Sequence, residues 1–500
     1  SDVCSSDLGA DDVFKAVQVV VANDTNAPLT QARAQIRFGD ASRDEVIGEL
    51  APRAERVLSV PVDTRLKPGV YPLGVTVTAS AGERLLSREA QVEIRLLPRP
   101  LPNRMPVVMW GNGDLDKLEY VGFTHELQHL EEYARTWDAG KPTTSMDPGT
   151  IEAKAAMLNE HLAHGVDVCA YLYPGRWVAT NEKLKDYLRV DRAGKPVGHE
   201  NVSAGNPDVQ RFGYDVGASV AQTFGQFPAL NMALVHSEIR DGTAISYHDY
   251  ELKAARDALG FDIPREAVGK NGVSYEALPD FPADRVIPDD YPLLRFYAWF
   301  WKDGDGWNAL HTRVSEGLKS TGRKDLVTFF DPAVRVPSVW GSGGGVDVLS
   351  QWTYSYPDPI KIGQATDELF AMADGRPGQQ VMKMTQIIWY RSGTAPELPK
   401  DENARVAWEK EIPDAKFITI APDHLREAFW SKLSRPIRGI MYHGWGSLYP
   451  ATHEGYRHTN PQTREVLKEL VATVVRPLGP TLLQVPDRET DVAFLESFSS

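Results

Sequence analysis

The sequence predicts an α/β fold, a (β/α)₈ TIM barrel, preceded by an N-terminal immunoglobulin-like β-sandwich. Two observations lead to this prediction. Up to residue 97 the chain contains only short alternating segments separated by turn-forming residues, a pattern typical of sandwiches. After residue 105 eight apolar, strand-like segments alternate with helical ones, as in a barrel with long loops. A doubly wound parallel sheet is the alternative for this second part.

The domain boundaries follow from changes in composition. The start, SDVCSSDL, lacks the charged and apolar regions of a signal peptide, so residues 1–9 are interpreted as a cloning or library remnant. Residues 98–104 contain three prolines and form a stiff linker. The sequence therefore predicts a β-sandwich accessory domain at 10–97, a catalytic barrel at 105–476, and the start of a truncated C-terminal Rossmann-like domain at 477–500.

Strand and helix positions follow from periodicity and turn signals. The predicted sandwich strands are Ala16–Val21, Gln31–Phe38, Arg56–Val62, Gly74–Thr78 and Gln91–Leu96. The predicted barrel strands are Pro106–Trp110, Gly122–Glu126, Val166–Tyr173, Leu230–Val235, Leu326–Asp331, Val346–Trp352, Val381–Ile388 and Ile437–His443. The main predicted helices are Thr150–His164, Asp208–Phe227, Tyr250–Leu259, Tyr291–Thr321, Ile360–Ala373, Asp423–Leu433 and Gln462–Val474, with a further strand at Thr481–Val485.

Charge and composition narrow the range of partners. A net charge of −14 without a basic run argues against nucleic acid and anionic membranes, which are held mainly by clustered Lys and Arg. No apolar run approaches the ~20 residues of a membrane span. Two cysteines cannot build a disulfide framework. We expect a carbohydrate partner, no metal or cofactor, a secreted or periplasmic location, and possible homo-oligomers through the C-terminal domain.

The stretch ALNMALVHSEIRDG, residues 229–242, carries the strongest functional signal. A buried strand ends there in ionisable residues, and chemistry in barrels sits at the carboxyl ends of strands. Glu238 is the first catalytic candidate, and Glu126 also falls at a predicted strand end. The predicted substrate-binding residues are Trp110, Tyr173, His236, Arg240, Trp352, Tyr354, Gln386, Tyr390, His443 and Trp445.

Carboxylates among aromatic rings are typical of glycoside cleavage. One carboxylic acid protonates the leaving oxygen, a second carboxylate attacks or activates water, and rings stack on sugars. The second carboxylate is Asp331 or Asp241. A structural role, as a loop cap or an ion pair with Arg240 or Arg335, is the competing interpretation of each aspartate.

A family resemblance supports this interpretation. Residues 165–241, with VDVCAYLYPG, YLRVDRAGKPVG and NPDVQRFGYDVGASVAQTFGQFPALNMALVHSEIRD, resemble the third and fourth strands of family 42 β-galactosidases and related clan A glycoside hydrolases. The ending LLQVPDRETDVAFLES resembles their entry into a Rossmann-like trimerisation domain. The resemblance implies a (β/α)₈ barrel, a retaining mechanism, an acid/base Glu after strand four and a nucleophile Glu after strand seven.

Two positions depart from the family pattern. The clan places Asn before the acid/base Glu, whereas this chain has Ser237 before Glu238. Strand seven reads VMKMTQIIWYRSG, which puts Gln386 near the nucleophile position. An amide cannot form the glycosyl ester, so either the second carboxylate comes from elsewhere or the barrel works differently.

Two other functions remain open from the sequence. His125-Glu126-Leu127-Gln128-His129 is a literal HExxH, which on a helix binds zinc with the Glu as general base, and Glu160 is a candidate third ligand. The surrounding sequence, however, favours a helix that ends at Gly122 and a strand that follows it. A non-catalytic carbohydrate-binding barrel is the other alternative, because of Gln386.

Overall fold

The structure is a computed structural model of the 500-residue chain. Two compact units, Ser1–Leu101 and Pro102–Ser500, make up the chain. The residues that the structure describes are 16–62, 69–96, 104–111, 113–143, 147–197, 201–239, 243–267, 282–332, 343–353, 358–391, 397–450 and 455–488.

The N-terminal unit contains two antiparallel sheets, one of two strands (β1 and β4) and one of four in the order β3-β2-β5-β6. Residues from both sheets share one apolar cluster that includes Val21, Ile36, Val60 and Leu73. Strand β3 was not predicted from the sequence, because its mostly exposed polar side chains hide the strand alternation. The strands are β1 Ala16–Ala22, β2 Leu29–Phe38, β3 Ala41–Leu50, β4 Glu55–Pro61, β5 Gly69–Ala81 and β6 Arg84–Leu96.

The second unit is built around a closed barrel of eight parallel strands, so the doubly wound alternative is wrong. All eight predicted barrel strands are present. Three further strands, β14 Ile388–Tyr390, β15 Phe417–Thr419 and β17 Tyr456–Arg457, form a small separate sheet. In barrel order the strands are β7 Val107–Trp110, β8 His125–Gln128, β9 Asp167–Tyr171, β10 Leu230–Ser237, β11 Val327–Asp331, β12 Val348–Gln351, β13 Gln380–Gln386 and β16 Gly439–His443.

Four of the helices begin at an Asp-Pro or Asn-Pro pair. Asp147, Asn206, Asp358 and Asn460 each cap a helix through the side chain, and proline occupies the first turn, where its missing N–H costs nothing. No described helix has the length and apolarity needed to cross a membrane. The helices are α1 Leu115–Val121, α2 Tyr133–Ala139, α3 Pro148–Ala163, α4 Pro174–Thr180, α5 Pro207–Phe224, α6 Asp249–Leu259, α7 Pro292–Trp299, α8 Trp307–Leu318, α9 Pro359–Ala373, α10 Ala407–Glu411, α11 Pro422–Leu433, α12 Trp445–Leu448, α13 Pro461–Leu470 and α14 Arg476–Leu482.

The barrel interior is filled by apolar side chains from all eight strands, with four methionines among them. Methionine is flexible and fills irregular space well. A larger apolar cluster lies between the strands and the helices. The interior residues are Val108, Leu127, Cys169, Met232, Leu234, Phe329, Val348, Met382, Met384 and Met441.

Three predicted elements differ from the structure. The second barrel strand begins at His125 rather than Gly122, because Gly122 adopts a left-handed φ of 98° and ends α1. The predicted helix Tyr291–Thr321 is two helices, interrupted by a π-turn and by Gly306 at a φ of 75°. The predicted strand Thr481–Val485 is wrong, since its first two residues belong to α14; residues 489–500 of the predicted C-terminal domain lie outside the described residues.

Candidate active site

The carboxyl ends of the fourth and fifth barrel strands place two carboxyl-bearing residues side by side. Ser237 is the register partner of Asp331, and its Oγ donates a hydrogen bond to Asp331 Oδ2 at 3.0 Å. The next backbone N–H, that of Glu238, donates to the Asp331 carbonyl oxygen at 2.8 Å. Glu238 and Asp331 therefore lie at the same edge of the barrel.

Glu238 combines exposure with an unusual backbone. Its side chain is exposed, directly after eight strand residues of which seven are buried. Its φ of +54° lies in the left-handed region, which costs a residue with a Cβ atom about 1–2 kcal/mol. Such strain concentrates at functional sites.

Asp331 is fully buried at the end of β11. Burial raises its pKa well above the usual range and the charge of Glu238 raises it further, while the hydrogen bond from Ser237 and the charge of Lys383 oppose the shift. Among the described residues its Oδ1 atom has no hydrogen-bond partner. Asp331 is thus a carboxyl group suited to hold a proton beside an exposed carboxylate.

Aromatic rings from the first and third strands lie beside this pair. The Tyr173 hydroxyl donates to the Tyr171 hydroxyl at 2.6 Å and also interacts with Ser237. The rings of Trp110 and Tyr171 meet edge to face, with 5.7 Å between centroids. All three rings are half-buried, so part of each aromatic surface faces solvent at this end of the barrel.

A second group of predicted residues lies at the ends of strands seven and eight. Gln386 is the register partner of His443, and its Nε2 donates to the Tyr390 hydroxyl at 3.4 Å. The ring of His443 lies 5.4 Å from that of Tyr456, and burial lowers its pKa to about 4. His443 also pairs with Trp110 on the neighbouring strand, which connects this group to the aromatic rings of the first and third strands.

His236, predicted to bind substrate, is completely buried, although its ring lies 6.3 Å from that of Tyr173. The register of β10 against β11 shifts between Leu234 and His236, a bulge that exchanges the inward and outward faces of a strand. His236 is consequently buried against Trp307 and His311 of α8, with ring centroids 5.3 and 5.0 Å away. Its Nε2 accepts a hydrogen bond from Gly175 N, and burial lowers its pKa to about 3.

The other two predicted tryptophans, Trp352 and Trp445, have different environments. Trp352 is half-buried and packs against the apolar interior of the barrel, as Trp110 does. Trp445 begins α12 and packs on Tyr449 and Phe123, with centroids 4.9 and 6.5 Å away. Arg240, Asp241, Arg335 and Tyr354 lie outside the described residues.

The HExxH segment does not have the geometry of a zinc site. His125 and Glu126 belong to strand β8, not to a helix. His125 Nε2 bonds Asn231 Oδ1 at 2.9 Å, whereas Glu126 accepts from His161 Nε2 at 2.6 Å and from Gly113 N at 2.7 Å. Glu126 is 1% exposed and so does not line the pocket as predicted. Within the described ranges, the His, Asp and Glu residues that could share an ion are Asp116, Glu119 and His164, all on the surface.

Two residues at this end of the barrel, Tyr171 and Glu131, were not predicted from the sequence. Tyr171 precedes Tyr173 by two residues and carries the hydroxyl that accepts its hydrogen bond; the two-residue strand period was the available signal. Glu131 follows β8, accepts from Leu130 N at 2.8 Å, and interacts with His129, whose ring lies 5.1 Å from Tyr171. It lies in a loop, where no periodicity reveals it.

Comparisons with known proteins give distant structural similarities. No protein-family model and no curated protein matches the sequence. The chain is similar in structure to β-galactosidases and β-glucuronidases. The β-galactosidase of the psychrophilic Marinomonas ef1 is 14% identical, with a TM-score of 0.49 over 77% of this chain and 62% of that one.

Two further solved structures are also similar at low sequence identity. Gan42B, a GH42 β-galactosidase from G. stearothermophilus, is 14% identical, with a TM-score of 0.46 over 77% of this chain and 57% of that one. A β-glucuronidase of Bacteroides uniformis is 10% identical, with a TM-score of 0.30 over 85% and 43%. The chain thus spans less than two thirds of the length of these proteins, and the function has to be argued from the site.

Proposed function

We propose that the chain is a glycoside hydrolase in which Glu238 is the acid/base. The observation that carries this proposal is the placement of an exposed, conformationally strained glutamate beside a buried carboxyl group with a raised pKa. Half-exposed rings of Trp110, Tyr171 and Tyr173 lie next to the pair, and such rings stack on the apolar faces of sugars.

The proposed reaction needs two carboxyl groups with different tasks. Glu238 donates a proton to the glycosidic oxygen as the bond breaks and then accepts one from the attacking water. The second carboxylate is Asp331 or Asp241. An attacking carboxylate must be ionised and must reach the sugar, so the burial and raised pKa of Asp331 favour Asp241 for attack. Asp331 then holds a proton and controls the electrostatics around Glu238.

The proposed substrate class and the role of the N-terminal unit are suggested by the sequence. The resemblance to family 42 suggests a β-galactoside as the first substrate to assay, and an oligo- or polysaccharide as the natural one. The sheets of the N-terminal unit are compatible with an immunoglobulin-like accessory sandwich. Gln386 is the last residue of strand seven and is 4% exposed. Because its amide cannot form a glycosyl ester, we propose no covalent intermediate at this position.

A non-catalytic sugar-binding barrel is the second candidate. It is favoured by the complete burial of Asp331 together with the amide at Gln386, which leave Glu238 as the accessible carboxyl group in the described part of the site. This candidate predicts saccharide binding without turnover, and the same assay separates the two functions.

The test is hydrolysis of nitrophenyl glycosides by the wild type and matched variants. Glu238→Gln is expected to lower kcat/KM by about 10²–10⁴-fold with little change in the thermal unfolding midpoint. Asp241→Asn is expected to lower it as strongly, and Asp331→Asn to shift the pH profile. Glu427→Gln, an exposed change on α11, is the control. Absence of turnover by the wild type on galactosides, glucosides, xylosides and glucuronides, with saccharide binding retained, would overturn the hydrolase proposal in favour of the binding barrel.

A further inference from the structure

An exposed histidine lies at the same end of the barrel as Glu238. His129 directly follows β8, so it lies at the carboxyl end of the second barrel strand. Its ring meets that of Tyr171 at 67°, with 5.1 Å between centroids. Tyr171 is the last residue of β9, the next strand of the barrel. The second histidine of the HExxH segment therefore lies against one of the aromatic rings of the candidate active site.

His129 is held in place although it is exposed. Its side chain is 65% exposed, whereas that of Glu131 is 8% exposed. The Nδ1 atom of His129 lies 2.8 Å from Glu131 Oε1, and Glu131 Oε2 accepts from Leu130 N at 2.8 Å. The Lys154 side chain donates to the carbonyl oxygen of His129. Exposed side chains ordinarily change rotamer freely, so this imidazole is oriented to an unusual degree.

The carboxylate of Glu131 determines which nitrogen of His129 faces a ligand. The hydrogen bond with Glu131 raises the pKa of His129, while burial and the charge of Lys154 oppose the shift. An imidazole that is bound to a carboxylate through Nδ1 carries a proton there, and the charged form carries a second proton on Nε2. Nε2 is consequently the atom that the imidazole offers to a ligand.

His129 lies farther from the carboxyl pair than Tyr171 does. Burial raises the pKa of the Tyr171 hydroxyl, and the charges of Asp331 and Glu238 raise it further. The charges that act on His129 are instead those of Glu131 and Lys154. A ligand that contacts both Glu238 and His129 therefore extends past the ring of Tyr171. This requires a molecule longer than one sugar ring at Glu238.

A neutral sugar unit suits the chemistry around His129. A hydroxyl group accepts from a protonated Nε2 atom and donates to an unprotonated one, so it pairs with either form of the imidazole. The C–H groups of a sugar pack on an aromatic ring such as that of Tyr171. An acidic sugar would place a second negative charge close to the carboxylate of Glu131, and like charges in contact are unfavourable.

We propose that His129, oriented by Glu131, binds a hydroxyl group of the neutral sugar unit next to the bond that Glu238 cleaves. The proposal rests on the proposed function, because it assigns a second sugar position in the same site. His129 is a binding residue in this proposal, and Glu131 is a positioning residue that acts through it. The substrate is then at least a disaccharide.

The first experiment is titration calorimetry in the Glu238→Gln background, in which no sugar is hydrolysed. The probes are β-1,4-galactobiose, cellobiose and xylobiose. His129→Ala is expected to weaken disaccharide binding about tenfold, the effect of losing a charged hydrogen bond. His129→Gln keeps a side chain that can meet a hydroxyl group and should recover part of this loss. Glu131→Gln should weaken binding less than His129→Ala, because the imidazole remains but is no longer held by a charge.

The matched control is a histidine with a similar partner at the other end of the barrel. The Nδ1 atom of His164 lies 2.9 Å from Glu119 Oε2, and His164 precedes the start of β9. His164→Ala should bind disaccharides as the background does, and thermal unfolding midpoints check that all variants fold. The proposal is overturned if none of the disaccharides binds, or if His129→Ala weakens binding no more than His164→Ala.

Kinetics separate this proposal from the proposed function. With Glu238 restored, His129→Ala should lower kcat/KM about tenfold more for the disaccharide than for the nitrophenyl glycoside of the same sugar, mainly through KM, because the nitrophenyl group offers no hydroxyl. An equal loss for both substrates would overturn the second sugar position while leaving the hydrolase proposal intact. Disaccharide binding that depends on His129, without turnover by the wild type, would support the second sugar position and refute the hydrolase proposal.

Discussion

The left-handed backbone at Glu238 predicts that glycine is more stable than alanine at this position. A residue with a Cβ atom pays about 1–2 kcal/mol for a left-handed φ, whereas glycine pays about 0.5–1 kcal/mol relative to alanine for ordering its backbone. Both variants remove the carboxylate, so electrostatic effects cancel. At the midpoints of these two ranges, Glu238→Gly is more stable than Glu238→Ala by about 0.8 kcal/mol.

The assay is thermal unfolding of the two variants side by side. An unfolding entropy of about 2.1 cal/mol/K per residue over Pro102–Ser500 corresponds to ~0.8 kcal/mol/K, so the expected separation in Tm is roughly 1 °C. The control pair is Glu427→Gly and Glu427→Ala in the middle of α11, where glycine should be the less stable by about 1 kcal/mol. If the glycine variant at 238 melts no higher than the alanine variant, the strained conformation is absent and the reasoning fails.

Three further predictions concern the groups around the site and the HExxH segment. The pKa of Asp331 is raised well above its ordinary value of 3.8 in the folded chain, so the free energy of unfolding falls as the pH rises from 3.8 through the raised pKa. Asp331→Asn removes this loss and should therefore increase Tm more at neutral than at acidic pH. Equal increases in Tm at both pH values would contradict this. Tyr173→Phe removes the hydroxyl that donates to the Tyr171 hydroxyl. It should destabilise the chain by about 1 kcal/mol in thermal melts and lower kcat/KM for glycosides. An unchanged kcat/KM would argue against a role of Tyr173 at the site. His161→Leu removes one of three donors to the buried carboxylate of Glu126 and should cost about 1.5–3 kcal/mol, whereas His161→Gln keeps a donor and should cost less in thermal melts. A zinc enzyme would instead lose bound zinc in His125→Ala.

The fold could be predicted from the sequence because its signals are local. Four helices can be recognised by a capping side chain followed by proline. Their caps are Asp147, Asn206, Asp358 and Asn460. The barrel strands are short buried runs between them. The strand β3 of the N-terminal unit was missed for the opposite reason, since its side chains are mostly exposed and polar.

The candidate site was predicted in part, and the failures have one physical origin. A shift of one residue in a strand moves a side chain to the other face of the sheet. The bulge after Leu234 turns His236 into the wall and brings Ser237 opposite Asp331. The late start of β8 at His125 places Glu126 against His161 instead of in the pocket. Neither bulges nor exact strand starts leave a periodic signal in the sequence.

The measurement that tests the central claim most directly is the dependence of kcat/KM on the leaving group in the wild type and in Glu238→Gln. A proton donor matters most for a basic leaving group and least for an acidic one. The account predicts that Glu238→Gln nearly retains hydrolysis of a dinitrophenyl glycoside but loses that of the corresponding methylphenyl glycoside. An equal loss for both substrates, or no loss for either, would contradict the assignment of Glu238 as the acid.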